Sequence, residues 1–529
     1  MRTSYLRRAG VLTVTWHRLP DMAKGNTKML NRALTAAFSV GAAGAAAVIG
    51  ARALRAGPGT PPGDFGAAEP TGDIGAHYAQ GAADQLSELI RFRTVFSTAR
   101  DQIELDQFTG FIAALERLFP RVHSSLTREF VNGQGLLFRW VGRGGDAPAR
   151  PTVLMAHYDV VPVDSRDAWT HPGFSGLQTD GYVWGRGALD DKGALVVIMN
   201  TVESLLEEGF VPTDDLYLSF GNNEETAGDS AQAAVALLSA RGVAPWLVLD
   251  EGGAVALDAF PGLKVPAAVI GVAEKGILDL ELLTRGAGGH ASTPPKMGAT
   301  VRLAQAIVAL EESPFPGSMP APIVEMMRRI GLESSFAMRL VTENMWMFKS
   351  LLTQVFGVVG DETRALTRTT VAVTMLEGSK AANVLASTAR ANANIRIAVG
   401  ESVESVVAHI RAIIDDPQVE LRVISGHDPS PISSFTNEQF ALLSAAVTRS
   451  YPEAVVTPYI QTGATDSRHF TTISPAVYRF SPLLMDAGDR ASLHAVNERV
   501  RISSLGAGVI FYRELLQGRE LALRERERS

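Results

Sequence analysis

The sequence predicts an α/β fold: a mixed, largely parallel sheet forms the main domain, and a smaller α+β domain is inserted in it. Two observations carry this reading. From Pro151 onward, short apolar runs alternate with helical patterns, the order that parallel sheets require. Acidic or imidazole side chains stand directly after three of those runs, where open α/β sheets build their sites.

The first helical spacing runs from Ala83 to Phe92, and folded sequence is expected from near Gly81. Thr152–Ala156 reads as a buried strand ending at His157. Gly193–Leu206 reads as a helix that buries Leu195, Ile198 and Val202. Leu216–Phe220 is a second strand, Ser230–Arg241 a helix, and Trp246–Leu249 a strand ending at Asp250. The inserted domain is expected over 273–430. Gly276–Leu283, Thr369–Met375, Ala391–Ala398 and Val419–Ile424 read as its strands, and Thr300–Leu310 and Ser402–Ile414 as its helices. The Met- and Phe-rich stretch from Ser313 to Arg368 has no clear place. The catalytic domain would then comprise 81–272 and 431–529, behind an N-terminal segment of 1–80.

The chain has 529 residues, 46% of them hydrophobic, enough for a large core and more than one domain. With 49 basic and 56 acidic residues and no basic stripe, nothing points to nucleic acid. There are no cysteines, which excludes disulfides, thiolate metal sites and a thiol nucleophile. Any metal must be held by imidazole and carboxylate. Ala33–Ala51 is an uncharged run of about 19 residues between Arg32 and Arg52, roughly long enough to span a bilayer. It is read as a membrane anchor, with a cleaved export signal or an Ala-rich helix as alternatives. The catalytic domain is expected outside the cytoplasm, either anchored or exported. Gly57–Gly72, rich in Gly and Pro, reads as a linker.

Five short segments carry candidate chemistry. In His157-Tyr158-Asp159, two polar groups two apart at a strand end can converge, with Asp159 orienting the imidazole. A surface histidine is the bland alternative. Asp190 and Asp191, in Leu189-Asp190-Asp191-Lys192-Gly193, are either ligands or ordinary carboxylates at a helix start. The neighbours Glu224 and Glu225 repel one another unless a cation neutralises them; plain solvent exposure is the alternative. Asp250-Glu251-Gly252-Gly253 follows a strand in the same way. His494-Ala495-Val496-Asn497-Glu498 lies far downstream, where a lone histidine is usually structural.

Taken together, these segments resemble the M20 family of metallopeptidases, whose pattern is His-x-Asp, Asp-x-Lys-Gly, Glu-Glu, Asp or Glu, and a late His. The likeness covers roughly Ala83–Gln517 and is nearest the carboxypeptidase S branch, which includes N-acyl-amino-acid hydrolases. Thr465-Asp466-Ser467-Arg468-His469 is similar to that branch. The resemblance implies a di-zinc exopeptidase-type catalytic domain with an inserted lid and dimerisation domain. It implies two zinc ions, with cobalt or manganese as alternatives, held by His157, Asp190, Glu225, Asp250 and His494. Asp190 would bridge the two, Glu224 would be the general base, and Asp159 would support His157. Gly288-Gly289-His290-Ala291-Ser292 resembles the family segment whose histidine stabilises the tetrahedral intermediate, often from a partner subunit, which implies a homodimer. Asn383, Arg396 and Gly463 resemble substrate-contacting positions, and Arg396 suits a free carboxylate. The implied function is metal-dependent hydrolysis of peptides or N-acyl amino acids with a free carboxylate. The alternatives are an N-fatty-acyl-amino-acid amidohydrolase/synthase and, from another class, a non-catalytic binding protein on the same fold.

Overall fold

A computed structural model describes residue 52 and residues 72–144, 150–164, 166–260 and 263–528. The run 33–51 and the linker up to residue 71 lie outside the described residues. The expected membrane anchoring is not upheld: among the described residues, no helix is long and apolar enough to cross a membrane.

The main sheet is ten-stranded and mixed. At its centre Leu216–Gly221, Thr152–His157, Leu247–Asp250 and Val477–Arg479 lie side by side and run parallel. Every residue of these four strands is buried, as a sheet covered on both faces requires. Alternation divides their side chains between two cores. Leu154, Leu218 and Leu249 pack with the helix Lys192–Glu207, while Val153, Tyr217 and Val248 pack with Ala234 and Leu238 of Ser230–Ala240. The predicted Leu195, Ile198 and Val202 are buried, and so are Val196, Val197 and Met199. That helix is covered all round because the helices Gly72–Ile90 and Ile502–Arg528 both pack on it.

The helix expected over Ala83–Phe92 runs over Gly72–Ile90, so it starts ahead of Gly81. Ahead of the buried Leu86, Leu89 and Ile90, its packing face is made of small residues, with Ala79, Ala82 and Ala83 buried, so apolar periodicity is weak there. It passes so close to the terminal helix that a Cβ on Gly506 would run into the Gly75 carbonyl oxygen.

A second, four-stranded sheet is antiparallel, in the order Thr370–Glu377, Thr388–Ile397, Gly276–Arg285, Val419–His427. Leu278, Leu280, Leu282, Ile395 and Ile397 form its own core with Leu303, Leu310, Val406 and Ile410 of the helices Ala299–Glu312 and Val403–Ile414. Ser402 caps the latter in a reciprocal capping box. The opposite face is polar: Asp279 accepts hydrogen bonds from Asn392 and Asn394.

The stretch without a clear place forms four helices, Ala321–Leu332, Phe336–Thr342, Met345–Val359 and Asp361–Thr367. Met326, Met327, Met345 and Phe348 are buried among them, whereas Phe336, Trp346 and Met347 are exposed.

Ala267–Glu274 of the main sheet runs through Lys275 directly into Gly276–Arg285 of the second. The return path lies beside it: Ser430 N–H donates to the Glu274 carbonyl (3.1 Å), and Glu274 N–H donates to Ser430 Oγ (2.9 Å).

Candidate metal centre

The carboxyl ends of the parallel strands converge on one cluster. His157 closes its strand, Glu224 and Glu225 lie in the turn after Leu216–Gly221, and Glu251 follows Leu247–Asp250. Asp190 comes from the glycine-bounded turn before Lys192–Glu207, where Gly187 adopts φ +86°. His494 comes from a loop in the last fifth of the chain, itself at φ +56°.

Asp190 divides its two oxygens between the imidazoles. Oδ1 lies 3.0 Å from His157 Nε2, and Oδ2 lies 3.0 Å from His494 Nε2. Each imidazole nitrogen also meets a glutamate: His157 Nε2 is 3.4 Å from Glu251 Oε1, and His494 Nε2 is 3.1 Å from Glu225 Oε2. Two half-sites therefore share one aspartate. His157 Nδ1 faces the Asp159 backbone carbonyl at 3.0 Å, which directs Nε2 into the cluster. The fully buried Asp159 carboxylate accepts the backbone N–H groups of Glu224 (3.1 Å) and Glu225 (3.0 Å). Asp159 thus orders the imidazole through its carbonyl and both glutamates through its carboxylate. Among the described residues, nothing donates a hydrogen bond to the Glu224 carboxylate.

So many acids in a buried place disturb one another. Burial pushes Glu224 well above the usual carboxylate range, raises Glu225, and, with the Asp190 charge, takes Glu251 to about 8. Burial also raises Asp191 well above that range. Burial alone would depress His157, but Glu251, Asp159 and Asp190 outweigh it and hold the imidazole well above its usual value. Hydrogen bonds to Asp190 and Glu225 raise His494 to about 10. Against its own burial, Asp190 is pulled down by both imidazoles.

Asp250, expected among the ligands, has no hydrogen bond or ion pair with this cluster among the described residues, although its charge reaches Asp191 and Glu251. It is the buried last residue of its strand, and its Oδ2 accepts the Ser467 N–H at 2.8 Å. Adjacent residues of a strand project to opposite faces, so Glu251, one position on, is the acid that reaches His157. Sequence reasoning missed Glu251. The available signal was the unbroken buried run Leu247–Asp250, since the residue just past it is the one free to emerge.

Residues 153–518 match the family model described as peptidase family M20/M25/M40. The chain belongs to this family. It is 34% identical over 448 residues to a probable carboxypeptidase S-like 2 of Dictyostelium discoideum, covering 83% of this chain and 85% of that protein. It is 36% identical over 444 residues to the N-fatty-acyl-amino acid synthase/hydrolase PM20D1.1 of Danio rerio, again covering 83% and 85%. The fold matches the crystal structure of the M20 family metallo-carboxypeptidase Sso-CP2 from Sulfolobus solfataricus. That match has a TM-score of 0.59 and 16% identity, over 82% of this chain and 98% of that one. As an M20 member the chain is a metallopeptidase or amidohydrolase, and the α/β fold read from the sequence holds.

The M20 cluster has the donors to hold metal. In two triads, His157–Asp191–Glu251 and His157–Asp190–Glu225, the potential ligand atoms lie within 4.8 Å of one another. Glu225 Oε1 and Asp191 Oδ1 are buried with no hydrogen-bond partner. Oxygen and imidazole donors without sulfur suit zinc, cobalt or manganese, and cations would relieve the crowding of buried carboxylates.

The remaining predicted residues fall in two places. Arg396 lies on the polar face of the second sheet, half-buried, and feels the charges of Asp279, Glu224 and Glu274. Among the described residues it has no hydrogen-bond or ion-pair partner. Gly463 lies in the loop that Asp250 and Glu274 secure, where Glu274 Oε2 accepts the Thr465 N–H at 3.1 Å. His290 and Asn383 are exposed, and the Ala291 N–H donates to the Asn383 carbonyl at 3.0 Å. No contact among the described residues joins either of them to the carboxylate cluster.

Proposed function

We propose that the chain hydrolyses the amide bond of peptides or N-acyl amino acids bearing a free carboxylate, at a centre of two zinc ions. The shared Asp190, with one oxygen toward each imidazole, carries this reading. His157, Asp190 and Glu251 would hold one ion, and His494, Asp190 and Glu225 the other. Bound there, the ions would acidify a water and polarise the scissile carbonyl. Glu224, ordered through its backbone by Asp159 but with a free carboxylate, takes the proton from water and returns it to the leaving amine. Arg396 binds the substrate carboxylate; its unpaired guanidinium near Glu224 supports that role. Asn383 and Gly463 take part in substrate contact, and the inserted domain acts as a lid. The exposed position of His290, apart from the carboxylates, supports its serving the site of a second copy in a homodimer.

A fatty-acyl substrate is a second reading, favoured by the name of the Danio rerio relative, which is given as both synthase and hydrolase. Glu224→Gln tests the central reading. It should keep both ions and lose about 10²–10⁴-fold in kcat, whereas an active variant would remove Glu224 from the mechanism. Turnover of N-acetyl, N-oleoyl and dipeptide substrates, with and without chelator, separates the acyl preferences.

A further inference from the structure

We infer that Glu498, with Asn497 beside it, is a positioning residue that locks the His494 loop to the Asp190 turn and so sets the spacing of the two half-sites. His494 needs such a device. It is 56% exposed, sits in a loop, and adopts a left-handed backbone, as does Asn497 at φ +65°. Non-glycine residues in that region are uncommon and persist where surrounding contacts enforce them.

Glu498 is completely buried. Its Oε1 accepts the N–H groups of Leu189 (2.9 Å) and of Asp190 itself (3.1 Å). Its Oε2 accepts Arg186 Nη1 at 2.6 Å. Arg186 Nη2 donates to the Ala495 carbonyl, next to His494, at 2.9 Å, and the guanidinium lies 5.3 Å from the Trp169 ring centroid. The Gly185 N–H donates to the Glu498 carbonyl (2.9 Å), and Asn497 Oδ1 accepts the Thr170 N–H (2.7 Å). Two segments about 300 residues apart in sequence are thereby joined backbone to backbone through one carboxylate and one guanidinium. A buried ion pair adds little net stability over apolar packing, because desolvation offsets the attraction. Its particular contribution here is geometry: both ends of the lock are one residue or none from an imidazole or carboxylate of the cluster.

The assignment rests on the reading of Asp190 and His494 as metal ligands. The test uses the purified full chain, stripped by chelator and titrated with Co²⁺, following visible absorption and the number of ions bound. Wild-type protein that binds no cobalt would sink the metal reading itself. Given two bound ions, Glu498→Gln should weaken the His494-side ion about 10- to 100-fold and shift its absorption bands. It should lower kcat with KM little changed, and Glu498→Ala should do more, having lost the acceptor for Leu189 and Asp190. A fall in melting temperature with the cobalt spectrum and affinity unchanged would overturn the proposal in favour of a purely structural role. Should Glu498→Gln fail to fold, Asn497→Gly decides in its place. It tolerates the left-handed backbone but loses the Thr170 contact, and unchanged cobalt binding there would overturn the lock.

Discussion

The neighbours Asp250 and Glu251 offer a sharp comparison, because one carboxylate holds the Ser467 N–H and the other lies against His157. Glu251→Gln removes the charge 3.4 Å from His157 Nε2. Loss of an outer partner of a metal ligand already costs about 10–100-fold in metal affinity. Loss of a ligand should therefore exceed about 100-fold, which is about 2.7 kcal/mol. Asp250→Asn keeps an oxygen for the Ser467 N–H and exchanges a charge-assisted hydrogen bond for a neutral one. That difference is about 1 kcal/mol, or roughly fivefold, and it should fall on KM because the bond secures the loop carrying Gly463. The assay is metal stoichiometry after equilibrium dialysis against a chelator buffer, with kinetics on the same samples. Glu251→Gln should retain one ion per chain and Asp250→Asn two. The opposite outcome would refute the assignment and return Asp250 to the metal set.

Arg396→Ala should raise KM about 10- to 100-fold for substrates with a free carboxylate, from the loss of about 1.5–3 kcal/mol of charge-assisted bonding; an equal effect on amidated substrates would contradict the clamp. Metal binding near pH 7 should release protons, since the metal-free site holds His494 up to about 10 and Glu251 up to about 8. Calorimetry in buffers of different ionisation enthalpy measures this, and release of none would contradict those shifts. The release should diminish as pH rises through about 8 and then 10, as Glu251 and His494 lose their protons unaided. Gly506→Val should destabilise the fold by about 1–3 kcal/mol in urea unfolding, because the new side chain meets the Gly75 backbone; unchanged stability would contradict that close packing.

Three of the four central parallel strands were legible because they are continuous apolar runs with acids or imidazole at their ends; Val477–Arg479, only three residues long, was not. His157, Asp190, Glu225 and His494 come together as their motif implied. The contact of Glu251 with His157 was not legible. It depends on which of two adjacent side chains a strand end turns inward, a matter of single-residue register. The helix from Gly72 was obscured by its alanines and glycines, whose packing comes from closeness and not from apolar bulk. Glu498 carried no local signal, since its partners lie near residues 185–190.

The two chain crossings at Glu274–Gly276 and His427–Ser430 have a mechanical consequence. Pinned to each other by hydrogen bonds, they attach the second sheet to the main one at a single place. The helix Ala321–Leu332 adds another attachment, where Arg329 Nη1 donates to the Val456 carbonyl at 3.1 Å. Two separate attachments restrain rotation about either one, which steadies Arg396 relative to Glu224.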